Sequence, residues 1–132
     1  ATCLAFYHAA GDGPMINGIH ALIYNKEAEK LRAFFSDVLG FRGVDAGHGW
    51  LIFALLPAEL GVHPTDEKGS HELYLMCDDL QTTIPELEGK GVKLAEPVKD
   101  AGWGLLTAIE VPGGEILRLY QPKHPTALGL VP

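Results

Sequence analysis

Ile19-His20-Ala21-Leu22-Ile23-Tyr24 and, about fifty residues on, Glu72-Leu73-Tyr74-Leu75-Met76 open two passages built to one plan. Each passage leads from an alternating strand into an amphipathic helix. Each then returns through a tryptophan-bearing turn, Gly49-Trp50-Leu51-Ile52 in one and Gly102-Trp103-Gly104-Leu105 in the other. They close at Val62-His63-Pro64 and Tyr120-Gln121-Pro122. A β-α-β-β-β unit carries a broad apolar sheet face that one copy alone does not cover. Two copies together predict an α+β fold: two βαβββ modules forming a curved, cup-shaped mixed sheet with the helices on the outside. A cup of this kind suits a small molecule.

Periodicity supplies the elements. In the first copy, residues 16–24 predict a strand with His20, Leu22 and Tyr24 on one face. Asn25 is expected to cap a helix whose apolar stripe is Ala28, Leu31, Phe34, Phe35 and Val38, and Gly40 to end it. Strands are expected over 41–44, 50–56 and 59–63. In the second copy a strand runs through 72–77, and Asp78-Asp79 opens a helix. Pro85 argues that this helix starts or kinks near Thr82-Thr83; it reaches Glu88 and stops at Gly89. Strands over 92–94, 104–111 and 115–120 follow, the last two joined at Pro112-Gly113-Gly114.

The expected organisation is an N-terminal extension over 1–14, one domain over 15–122 (modules 15–64 and 70–122) and a C-terminal tail over 123–132. The chain has 132 residues, is 47% hydrophobic and carries a net charge of −7. That is the make-up of one folded domain, and its charge works against a sequence-independent grip on nucleic acid. No apolar run approaches the ~20 residues of a membrane span, and residues 1–14 read poorly as a signal peptide. Two cysteines, Cys3 and Cys77, make no disulfide framework, so a cytoplasmic setting is expected.

His20 to Asn25, then Leu31, Phe34-Phe35 and Val38-Leu39-Gly40-Phe41, resembles the opening of the vicinal-oxygen-chelate superfamily. Its members include glyoxalase I, bleomycin-resistance proteins and extradiol dioxygenases. Pro112-Gly113-Gly114 with the strand after it and Gln121-Pro122 resembles its ending. The resemblance covers residues 16–122. It implies a homodimer in which modules pair and cover sheet edges.

Members that are enzymes hold a divalent metal with side chains from the first and last strand of each module. Carried onto this chain, the resemblance puts His20 on the first position and Glu72 on the second, since Glu72 follows His20 by 52 residues as Asp79 follows Glu27. His71 takes that place only if the strand slips by one. At the end of the first module Leu60 falls on the position, with Glu59 brought inward if Gly61 is a bulge. At the last position stands Arg118, which cannot ligate a metal. The metal reading is therefore Zn, Mn, Fe or Ni on His20, Glu72 and Glu59, with Glu72 or Glu59 moving a proton beside a substrate carbonyl, as in a lyase or isomerase. The alternative is a metal-free drug- or metabolite-binding protein of the bleomycin-resistance type, with Glu72 paired to Arg118. An extradiol dioxygenase is disfavoured, because it needs a carboxylate where Arg118 sits. In every case Arg118, Tyr24, Tyr74, Tyr120, Trp50 and Trp103 are the expected ligand contacts. No phosphate loop, nucleophile elbow or zinc-spaced cysteine pair competes with these readings.

Overall fold

The sheet is fullest in the second half of the chain, where long alternating strands lie next to one another. The computed structural model describes residues 17–130; the extension expected over 1–14, with Cys3, lies outside them. The elements are α1 (Ala28–Ala33) running into a π-helical turn (Phe34–Val38), β1 (Gly43–Asp45), β2 (Leu51–Phe53), β3 (Tyr74–Met76), α2 (Leu80–Gly89), β4 (Leu94–Asp100), β5 (Gly104–Val111) and β6 (Glu115–Pro122). This is a mixed α+β fold. β3, β6, β5 and β4 form a four-stranded sheet in that order, with β3 parallel to β6 and the other pairs antiparallel. β1 and β2 form a separate antiparallel pair.

The core lies on one face of the large sheet. Leu117 and Leu119 of β6 and Ile109 and Val111 of β5 bury there with Leu80, Val92, Leu31 and Phe35. Leu31 and Phe35, one helical turn apart, thus bring the first half's helix to the second half's core. Two polar ties hold it. Asn25 donates from Nδ2 to the Pro112 carbonyl at 2.8 Å, and Lys90 Nζ donates to the Val38 carbonyl at 3.3 Å. Gly113 allows the first contact: it sits at φ +91° in the β5–β6 turn, and a Cβ there would strike the Asn25 amide.

Several expectations need correction. The strand expected over 16–24 makes no ladder across the described residues 17–25, and that expected over 59–63 makes none either. Alternation fixes a face only where something lies against it, and here Ile19, Leu22 and Tyr24 stay exposed. The strands expected over 41–44 and 50–56 shorten to β1 and β2. Asn25 does not cap α1 directly. Its Oδ1 accepts from the Glu27 amide at 2.7 Å, and Glu27 is the capping residue. α2 begins at Leu80, earlier than Thr82-Thr83. Asp79 accepts from the Gln81 amide at 3.0 Å and from the Thr82 hydroxyl at 2.9 Å, and this cap fixes the start despite Pro85 inside the helix. β4 starts at Leu94 and continues to Asp100, where 92–94 was expected, because Thr107 holds its middle by donating to the Glu96 carbonyl at 2.7 Å. β5 matches the expected 104–111, and β6 runs two residues past the expected 115–120.

Candidate functional site

The face of the large sheet turned away from the core carries the polar and aromatic side chains. Register decides which of them meet. Tyr74 pairs with Arg118, Arg118 with Ala108 and Ala108 with Glu96, so these four residues form one row across the sheet. The next row is Met76, Tyr120, Leu106 and Lys99. Ala108 is fully buried between larger neighbours, which sets the charged and aromatic groups around a small floor.

Tyr74 donates its hydroxyl to Glu72 Oε1 at 2.9 Å. Its phenol pKa is raised, first by burial and then by this bond to the carboxylate. Arg118 is exposed, and among the described residues it forms no ion pair; the Glu72–Arg118 pairing expected from the sequence is replaced by Tyr74–Glu72. The result is one carboxylate already oriented by a phenol, with a free guanidinium on the neighbouring strand.

An aromatic wall flanks this pair. Tyr120 is 7% exposed. Its ring meets Trp103 edge-on at 5.3 Å between centroids and tilts against Tyr74 at 5.8 Å. It lies over Gly104, where a Cβ would collide with the ring, so only glycine fits beneath it. Burial raises the Tyr120 pKa, and the negative charge of Glu59 raises it further. Both tyrosines therefore stand as protonated donors at neutral pH.

Two histidines that read as loop residues join the wall. His63 lies 6.0 Å from Trp103 between ring centroids, and His124 stacks on Tyr120 with its Nε2 against the phenol oxygen. His124 Nδ1 is 2.7 Å from the Pro125 carbonyl, which only an N–H can face; in the neutral ring Nε2 is then the acceptor of the Tyr120 proton. Nothing in the sequence spacing places them there, since each sits in a loop whose path the strand pattern does not set.

The remaining expected residues lie elsewhere. His20, Tyr24, Trp50 and His71 are exposed. Leu60 is 86% exposed, while Glu59 turns toward the C-terminal tail and accepts from the Ala127 amide at 2.7 Å. Among the described residues no three His, Cys, Asp or Glu side chains converge on a point a metal ion would occupy. The set His20, Glu72 and Glu59 does not fit a metal within this chain, and Arg118 adds a fixed positive charge beside Glu72. A depression of about 390 Å³ opens on the helix-bearing side between Phe34, Val38, Gly91 and Val111, and no candidate side chain borders it.

The mixed α+β architecture and the repeated plan of the sequence agree with a glyoxalase-type fold. The chain belongs to the Glyoxalase/Bleomycin resistance protein/Dioxygenase superfamily, whose model matches residues 19–119. Among solved structures it is similar to TnmS3, an antibiotic binding protein from Streptomyces sp. CB03234, at 26% identity and a TM-score of 0.58, covering 84% of this chain and 100% of that one. It is similar in fold to lactoylglutathione lyase from Agrobacterium tumefaciens, at 15% identity and a TM-score of 0.58, covering 82% and 96%. A superfamily member from Sphaerobacter thermophilus DSM 20745 gives 21% identity and a TM-score of 0.56 over 82% and 99%. Among curated proteins none matches. Among the described residues no helix is long and apolar enough to cross a membrane.

Proposed function

We propose that this protein binds a small aromatic molecule bearing an anionic group, on the sheet face of Tyr74, Arg118, Tyr120 and Trp103, without a metal. The observation that carries the reading is Arg118 standing unpaired among the described residues beside the Tyr74–Glu72 bond. A free guanidinium is a bidentate donor for a carboxylate or phosphate, and the rings of Trp103 and Tyr120 offer a stacking wall next to it. Glu72 would accept from a ligand hydroxyl or amine. The likeness to an antibiotic binding protein supports binding, and within one chain His20, Glu72 and Glu59 do not converge as the lyase or isomerase reading requires.

We further propose a homodimer. Ile19, Leu22, Tyr24, Trp50, Leu60 and Val62 are each at least 67% exposed, an apolar spread that a second copy would cover. The test of the binding reading is calorimetric titration with a panel of aromatic carboxylates. Binding should weaken at least about tenfold in Arg118→Gln, through loss of a charge-assisted pair. Equal affinity in the variant overturns the site. A stoichiometric metal in chelator-free protein, lost in His20→Ala, overturns the metal-free part.

A further inference from the structure

The C-terminal residues 123–130 contain no helix or strand, yet they are tied down at four points. The Lys123 amide donates to the Trp103 carbonyl at 2.9 Å, and Lys123 Nζ meets Asp100 Oδ2 at 2.6 Å. His124 then stacks on Tyr120 with Nε2 at the phenol oxygen. Three residues later the Ala127 amide donates to Glu59 Oε1, a residue 68 positions earlier in the chain. The segment therefore passes from the second half's sheet to the first half's loop, across the hydroxyl of Tyr120.

We propose that residues 123–130 form a strap that closes the aromatic end of the site, latched by His124 on Tyr120 and by Ala127 on Glu59. His124 is stacked on the Tyr120 ring, which is half of the wall a ligand would stack on, so filling that end of the site and releasing the strap are one event. What the strap excludes rests on the small-molecule reading above; that the strap exists does not. Neither latch is strong. Each is a single hydrogen bond, worth about a fivefold change in the closed-to-open ratio, and the rest of the segment makes few buried contacts. The first tie, Lys123 to Asp100 and Trp103, is the fixed end and leaves the strap to swing from His124 onward.

The two latches lie on different residues, so they are coupled only if the strap moves as a unit. Ala127→Pro removes the amide that Glu59 accepts and leaves Glu59, its charge and the Tyr120–His124 contact in place. Tyr120 should then react faster with tetranitromethane. The readout is nitration at Tyr120 relative to Tyr24, which is 86% exposed in the single chain and serves as an internal standard at a protein concentration where light scattering gives the mass of one chain. Full-length, ligand-free wild type should show Tyr120 well below Tyr24. Ala127→Pro should raise the ratio by about fivefold, and Ala127→Ser, which keeps the amide, should not. In His124→Ala the Ala127 amide should lose protection from hydrogen exchange by a similar factor, although His124 does not touch it. A wild-type Tyr120 that nitrates as readily as Tyr24, an unchanged ratio in Ala127→Pro, or unchanged Ala127 exchange in His124→Ala overturns the strap. No ligand enters these measurements, so their failure leaves the binding reading to its own titration.

Discussion

The two halves of this chain share a plan and differ in outcome. The second half places four strands in register, buries Ile109 completely and leaves Leu119 3% exposed. The first half forms a three-residue strand pair, and Leu60 and Val62 are 86% and 89% exposed. The first module is the richer in apolar residues, so composition does not explain the difference. What separates them is the neighbour. β5 and β6 pair over eight residues, from Gly104–Pro122 to Val111–Glu115, while residues 17–25 and 59–63 have no strand beside them. An alternating pattern states which side would be buried; a partner is still required to bury it.

The sharpest way to break this contrast is paired truncation. Ile109→Ala should cost about 2–5 kcal/mol of stability in urea denaturation, the usual cost of emptying a closed core site. Val62→Ala should stay within about 0.5 kcal/mol in a monomer. If the first half's surface is covered by a second copy, the outcome changes in kind. Leu60→Asp should then lower the mass found by light scattering from that of a pair to that of one chain, while wild type stays paired at the same concentration. Equal costs for Ile109→Ala and Val62→Ala would show the first half to be packed within the chain.

Gly104→Ala is the next in size. The added methyl meets the Tyr120 ring and the Gln121 carbonyl at 2.9 Å, so the ring must leave its place. A loss of about 1–3 kcal/mol is expected from such overpacking, with Trp103 emission shifting as its neighbour moves. The smallest effect belongs to Asp100. Lys123 and then the Gly102 amide hold its carboxyl below the ordinary value of 3.8. A carboxyl lowered by folding stabilises above its unfolded pKa and loses that contribution as pH falls through the folded one. Asp100→Asn should therefore change stability slightly at neutral pH and not at all in strong acid. Because the pair is exposed, added salt should erase the difference.

How much was legible follows the same division. The strands over 104–111 and 115–120 were legible in the second half, and the 52-residue offset put Glu72 on the position equivalent to His20. The register of β3 on β6 sets Tyr74 opposite Arg118, and Glu72 joins them through the Tyr74 hydroxyl; spacing along single strands does not carry that register. His124 and His63 were not legible, because their positions depend on where two loops cross the sheet. Nor was the choice of Glu72 for the Tyr74 hydroxyl over the Arg118 guanidinium, which turns on side-chain reach. For His20, a resemblance supplied a role that one chain's geometry does not supply, since its strand has no neighbour here.

The central claim is binding at the Trp103–Tyr120–Arg118 face with no metal required. The direct measurement is fluorescence of a Trp50→Phe variant, in which Trp103 is the sole tryptophan, during titration with an aromatic carboxylate in the presence of EDTA. The account predicts saturable quenching of Trp103 at one equivalent per chain, unchanged by the chelator and lost in Arg118→Gln. Quenching that appears only when a divalent metal is supplied, or none across the panel, would contradict it.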